Sequence, residues 1–178
     1  MSTHKMDDLF DRLQKGKDRG YIGEAISQLE HGLQAAYCAQ LSGADDACII
    51  AALFHDIGHL VGVESMGGFG VATHETIGAA ALRGAGFSEK VCALVGGHVD
   101  AKRYLTWKDP QYLKKLSPAS LETLKYQGGP MTDTQAHTFE QHPYFKEILQ
   151  IRAWDEAAKR VDWDVPALST YRERAECC

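Results

Sequence analysis

Apolar residues recur at three- and four-residue intervals along most of the chain, and the alternating β-branched runs that mark strands are missing. The pattern predicts an all-α protein. A short amphipathic helix is expected around Asp7–Leu13, and a longer one from about Gly23 to Leu41 with Ile26, Leu29, Leu33, Ala36 and Tyr37 on one face and a stop at Gly43. On its opposite side Glu24, His31 and Cys38 fall on one stripe. The segment ADDACIIAALFHDIGHL is apolar on nearly every side, as expected of a central helix enclosed by its neighbours, and ends in His55, Asp56 and His59. Val61–Ala72, with Gly62, Gly67, Gly68 and Gly70, reads as a loop long enough to be functional. Thr73 is expected to cap a helix to about Arg83, and Ser88 one that carries His98 and Lys102. Ser117-Pro118 opens a helix ended by Gly128, Gly129 and Pro130, and Thr132 with Gln135 has capping-box spacing. Pro143 starts a helix with Phe145, Ile148, Arg152 and Asp155 along one stripe, after which Pro166 and a charged tail close the chain. No internal repeat is visible, and one domain over residues 1–178 is expected, with its core at about 20–160.

Composition narrows the function classes. A chain of 178 residues can bury roughly 70% of its unfolded surface and does not need disulfides or a structural metal, so a metal here is expected to serve chemistry. The 44% hydrophobic and 24% charged fractions exclude wholesale disorder, collagen-like repeats and coiled coil. Net charge is −5 and the 19 Lys and Arg form no run, which argues against a nucleic-acid partner and for a small-molecule one. The longest apolar stretch, Ala47–Phe54, falls far short of the roughly 20 residues of a membrane span, and the start MSTHKMDDLFDR is no signal peptide. A cytoplasmic location without membrane association is expected. The five cysteines form no CxxC pattern and read as small buried hydrophobes (Cys38, Cys48, Cys92) plus a frayed tail (Cys177, Cys178). The eight histidines, mostly in apolar surroundings, are the unusual feature.

An adjacent His55-Asp56 pair on an apolar helix is costly unless a cation offsets desolvation of the carboxylate; the alternative is a core histidine beside an aspartate bonded to a neighbour. HDIGH echoes the HExxH zinc motif, but Asp stands where Glu must act as base and no third ligand follows, so a metalloprotease is set aside. His31, His74, His98 and Asp155 each project from a different expected helix between apolar neighbours, the way bundles build metal sites.

This series resembles the HD-domain superfamily, in particular its dinuclear members. The resemblance implies a helical fold and two metal ions: Asp56 bridges both, His31, His55 and Asp155 complete one, and His74 and His98 hold the other. Four imidazoles and two carboxylates without a thiolate are too nitrogen-rich for magnesium or calcium and lack the cysteines of structural zinc sites, so iron or manganese fits best. HD domains are mostly phosphohydrolases. A smaller branch, the myo-inositol oxygenases among them, uses a mixed-valent Fe(II)/Fe(III) pair with O2 as co-substrate to cleave C–C or C–P bonds. The stretches GYIGEAISQLEHGLQ, GHVDAKRYL, LETLKYQGGPM and IRAWDE are similar to members that oxidise 1-hydroxyalkylphosphonates, most closely the glycine-forming ones. That likeness implies a dioxygenase of phosphonate degradation that converts (R)-1-hydroxy-2-aminoethylphosphonate to glycine and phosphate.

A phosphonate dianion needs fixed cations. Lys102 lies one turn beyond His98 and Arg152 three residues before Asp155; the alternative for each is a surface charge with a solvated head. His59, one turn from Asp56, could donate to the same phosphonate or cap a helix end. By resemblance Ser120 and Thr123 add hydroxyl donors. Glu24, on the His31 stripe, suits a substrate amine, and the resemblance implies that Tyr21 and Glu24 gate the site, Tyr21 on iron until substrate enters. The competing reading is an ordinary aromatic and an acid in a helix's first turn. A trimethylammonium group would call for an aromatic cage, and only Tyr21 lies near this gate, so a primary amine is preferred. Two rival functions use the same series: a metal-dependent phosphohydrolase of a nucleotide or phosphate ester, and a non-catalytic HD sensor module, against which the full ligand set argues. His4, His137 and His142 are expected at the surface or at helix ends.

Overall fold

The computed structural model describes residues 3–21, 23–63 and 65–178. Its helices are α1 (Thr3–Lys15), α2 (Gln28–Leu41), α3 (Asp46–Phe54), α4 (Gly58–Val61), α5 (His74–Ala85), α6 (Glu89–Lys108), α7 (Pro118–Tyr126), α8 (Asp133–Glu140), α9 (Phe145–Ala157) and α10 (Arg172–Glu176), with short 3-10 turns at Gly16–Asp18, Tyr112–Lys115 and Leu168–Tyr171. No strand occurs among the described residues, only an isolated antiparallel bridge between Gly20 and Ser27. The fold is all-α, as the periodicity predicts.

Capping chemistry sets several boundaries. α2 begins at Gln28 and not near Gly23, because Ser27 and Glu30 form a reciprocal box: the Ser27 hydroxyl accepts from Glu30 N at 3.1 Å and the Glu30 carboxylate from Ser27 N at 2.7 Å. Upstream, Tyr21 N donates to Ile26 O and Glu24 N to Tyr21 O, folding this stretch into a closed loop. Glu24 is therefore not on a helix face, and the expected stripe of Glu24, His31 and Cys38 does not form. Ser117 and Thr132 cap α7 and α8 as their spacing predicts. Thr73 does not cap α5 with its side chain; it sits in the left-handed region at φ 60, a strained position for a β-branched residue. Ser88 precedes α6 without a side-chain cap bond.

α3 is the central element. Ile49, Ile50, Ala51, Ala52, Leu53 and Phe54 are buried, and α2, α6 and α9 pack around them. The helix stops at Phe54 and does not run on to Leu60; Ile57 N bonds to Phe54 O, a tighter turn that leads into α4. His55 and Asp56 thus occupy a turn, which lets two consecutive side chains point toward one place. Close approaches bring the flanking elements in. A Cβ on Gly32 would lie 2.7 Å from Leu53 O, and one on Gly58 only 1.9 Å from His74 O. Glycine at these positions lets α2 press on the end of α3, and α4 on the start of α5.

The C-terminal segment is docked and not frayed. Leu168, Tyr171 and Ala175 are buried in the main core, and Ser88 N donates to Cys178 O at 2.6 Å. Cys48 and Cys92 are buried, Cys38 and Cys178 half-buried and Cys177 exposed, all as free thiols. A small satellite core of Tyr112, Leu116 and Leu124 fixes the segment that carries α7. No described helix is long and apolar enough to cross a membrane.

Gly58→Ala should lower unfolding free energy by about 3 kcal/mol, because the new methyl meets backbone and not a movable side chain. Urea denaturation checks this, and a loss below about 0.5 kcal/mol would contradict the tight α4–α5 contact.

Candidate metal centre

Two groups of potential ligands meet at the end of α3. His31 of α2, His55 after α3 and Asp155 of α9 form one; Asp56 after α3, His74 of α5 and His98 of α6 form the other. Asp56 stands between them. Its Oδ2 lies 3.5 Å from His31 Nε2 and 3.4 Å from His55 Nε2, while its Oδ1 lies 3.2 Å from His74 Nε2 and 3.4 Å from His98 Nε2. Asp155 Oδ1 is 3.2 Å from His31 Nε2. The six residues expected from the sequence as metal ligands therefore converge, in the two expected sets.

The chemistry of this donor set fits a metal pair. All four Nδ1 atoms face backbone carbonyls: His31 to Ala158 O at 2.8 Å, His55 to Ala52 O at 2.8 Å, His74 to Val71 O at 3.2 Å and His98 to Val95 O at 2.7 Å. Each neutral ring thus keeps its proton on Nδ1 and turns a bare Nε2 lone pair inward. In their neutral form two such lone pairs face each other at 3.0 Å in the first group and again at 3.0 Å in the second, with no hydrogen to bridge them. Asp155 Oδ1 is buried with no hydrogen-bond partner. Only protons or metal cations relieve that arrangement. Burial would push both aspartates up, yet His55 holds the Asp56 carboxyl, and Arg152 the Asp155 carboxyl, well below the usual range. Burial likewise opposes a charged His55, but Asp56 and Asp155 outweigh it and carry His55 up to about 9.

One cavity opens on the second group. Asp56, His74 and His98 line it, together with Asp155, Tyr21, His59, Lys102, Ser120, Thr123 and Arg152; Phe69, Gln127 and Lys159 complete much of the wall. Arg152, buried, is held by Asp155 Oδ2 at 2.5 Å, Glu156 Oε1 at 2.8 Å and Tyr112 Oη at 3.1 Å, and its Nη2 has no partner. Lys102 Nζ donates to Thr123 Oγ1 at 2.9 Å, and burial, followed by the Arg152 charge, pushes it down to about 7. The His59 ring stacks on His74 at 3.9 Å. Its Nδ1 accepts from Val71 N at 3.0 Å, and burial and His74 hold it down to about 3, so the ring is neutral with its proton on Nε2. The Ser120 hydroxyl accepts from Ser117 Oγ at 3.3 Å. Tyr21 stacks on the His31 ring at 3.8 Å, and burial, then Asp155 and Asp56, keep its phenol protonated.

Glu24 departs from the expected picture. Its carboxylate does not line the cavity and lies 3.3 Å from Lys159 Nζ. Sequence reasoning also missed Tyr112, Glu156, Phe69, Gln127 and Lys159. Glu156 and Lys159 sit one and four residues past Asp155, a signal that helical spacing offered; Tyr112, forty residues before Arg152, offered none. His4 and His137 are exposed and His142 half-buried, all away from the cavity.

Residues 28–149 match the HD domain, and the chain belongs to that family. It is similar to the [1-hydroxy-2-(trimethylamino)ethyl]phosphonate dioxygenase (glycine-betaine-forming) of Leisingera caerulea, 41% identical over 161 residues that cover 89% of this chain and 80% of the relative. The hydroxymethylphosphonate dioxygenase of Gimesia maris is 38% identical over 170 residues, 93% of this chain and 84% of the relative. Uncharacterized protein L432 of Acanthamoeba polyphaga mimivirus is 39% identical over 156 residues, 85% and 71% of the two chains. Asp155 and Arg152 lie beyond the HD match, and Tyr21 and Glu24 before it.

Metal analysis of protein reconstituted with iron should give two ions per chain. His74→Ala and His31→Ala should each hold about one, and Asp56→Ala neither firmly. Because the His55 proton must leave before a metal binds, apparent affinity should rise with pH toward about 9 and fall on acidification.

Proposed function

We propose that this protein is a cytoplasmic, O2-dependent dioxygenase that cleaves the C–P bond of a small 1-hydroxyalkylphosphonate, using a mixed-valent Fe(II)/Fe(III) pair bound by His31, His55, Asp56, His74, His98 and Asp155. The observation that carries this reading is the cationic wall opposite the open metal triad. Arg152 offers a buried, unpartnered Nη2, and Lys102 a buried amine held by Thr123 Oγ1 and Ser120 O without a carboxylate bond among the described residues, beside Asp56, His74 and His98. A tetrahedral dianion pairs with Arg152 Nη2 and gives Lys102 a counter-charge, while a neutral substrate would leave that Nη2 buried and unpaired. The names of the two phosphonate dioxygenases among the relatives support the same chemistry. A phosphate ester would also satisfy the cations, so hydrolysis is the rival to test.

The iron pair, when bound, would supply O2 activation and the electron transfer that oxidises the carbinol carbon. The protein's own residues orient and neutralise. Arg152 is pre-aimed by Asp155, Glu156 and Tyr112, so little side-chain freedom is lost on binding. Lys102, which burial and the Arg152 charge push down to about 7, is favoured in its charged form beside a dianion. His59 donates its Nε2 proton, and Ser120 and Thr123 present hydroxyls from one face of α7. Tyr21 shields His31 and closes the cavity against water on that side. The finer reading takes (R)-1-hydroxy-2-aminoethylphosphonate as substrate, giving glycine and phosphate, with Glu24 as partner of the ammonium and the loop that carries Tyr21 and Glu24 as the gate.

Iron-loaded protein should release one phosphate per O2 consumed from a 1-hydroxyalkylphosphonate and none without O2. Phosphate released anaerobically would sink the oxygenase and favour the hydrolase. Lys102→Met should raise KM for the phosphonate about 10- to 100-fold with iron content unchanged. Glu24→Gln should raise KM for the amino substrate about tenfold and leave hydroxymethylphosphonate untouched; equal effects on both would remove Glu24 from amine recognition.

A further inference from the structure

We infer that Lys159 acts as an internal stand-in for a substrate ammonium and is the residue that sets which phosphonates the cavity accepts. The inference rests on the proposed amine-binding role of Glu24. Lys159 Nζ lies 3.3 Å from Glu24 Oε1, donates to Ser117 Oγ at 3.3 Å, and sits over the Tyr21 ring, 5.7 Å from its centroid. A carboxylate, a hydroxyl and an aromatic face are the groups that recognise an alkylammonium ion. In this structure the protein's own side chain fills that position, and the same lysine lines the cavity in which Arg152 and Lys102 await an anion.

The charges make the occupancy an exchange. The Lys159 and Glu24 side chains are 15% and 19% exposed, and Glu24 Oε1 has no hydrogen-bond partner, so this carboxylate depends on the nearby cation. A substrate ammonium that reaches Glu24 must displace Lys159, because two ammonium groups cannot share one carboxylate without repulsion. A phosphonate without an amine leaves the pair intact. Lys159 thus raises the threshold for amine-bearing substrates relative to amine-free ones.

The exchange requires only the side chain to move. On one side of Lys159 the Ala158 carbonyl accepts from His31 Nδ1 at 2.8 Å. On the other, Arg160 N donates to Gln34 Oε1 at 2.9 Å and Gln34 Nε2 to Arg160 O at 2.7 Å. The backbone is pinned to α2 at both flanks, so the lysine swings while the carbonyl that orients His31 stays in place. Selectivity can therefore change without change in the ligand set.

The test is calorimetric binding of two unreactive phosphonates, 2-aminoethylphosphonate and ethylphosphonate, to iron-loaded protein without O2. In Lys159→Met the preference for the amino compound over the amine-free one should rise about tenfold, with iron content as in the parent. Lys159→Arg should keep the parent preference, and adding Glu24→Gln to Lys159→Met should abolish the gain. If Lys159→Met weakens both ligands equally, the lysine is a plain phosphonate contact and the inference falls while the phosphonate reading stands. If the parent protein binds neither compound, the phosphonate reading fails and this one with it.

Discussion

The structure depends on one electrostatic constraint: four imidazole lone pairs and two aspartates are gathered at the end of a buried helix, with every protonated Nδ1 edge turned away to a carbonyl. Such a cluster repels itself. Paired Nε2 atoms at 3.0 Å can coexist only if a proton or metal cation sits among them. The carbonyls that fix the rings come from Ala52, Val71, Val95 and Ala158, backbone of four separate segments, so the orientation of each ring is set by the main chain itself.

The rest of the fold serves that cluster. α3 stops at Phe54 so that His55 and Asp56 leave a turn toward the same point; in a continuous helix consecutive side chains diverge by about 100°. Gly32 lets α2 lie against Leu53 O, which brings the adjacent His31 to His55, and Gly58 lets α4 lie against His74 O, which brings His74 to Asp56. The left-handed Thr73 costs about 1–3 kcal/mol and sets the direction from which His74 enters. Around the cluster sits a second layer that is electrically opposite. Arg152, Lys102 and Lys159 give a chain of net charge −5 a cationic cavity wall, and the satellite core of Tyr112, Leu116 and Leu124 holds the segment that presents Ser120 and Thr123.

Much of this was legible in the sequence where the controlling interactions are local. Capping at Ser117 and Thr132, the stop at Gly43 and the burial of Cys48–Phe54 follow from neighbouring residues, and the structure agrees. Errors arose where a local pattern met a stronger competitor. Apolar periodicity carried α2 back to Gly23, but the Ser27–Glu30 box starts it four residues after Glu24, which moves that residue off the helix and beside Lys159. The charged tail read as frayed, but Tyr171 and Ala175 bury enough surface to dock it.

What the sequence by itself determined was the all-α class, because helical periodicity is a property of residue types at fixed spacings; it also offered six candidate metal-holding residues, through their ligand chemistry together with the family resemblance. The family resemblance implied how those six divide; only the tertiary structure shows the geometry, with one Asp56 oxygen toward each histidine pair, since that depends on where five segments cross. The same holds for the partners of Arg152 and Glu24. Tyr112 lies 40 residues from the first, and Lys159 lies 135 from the second; no periodicity links positions so far apart, and packing alone brings them together.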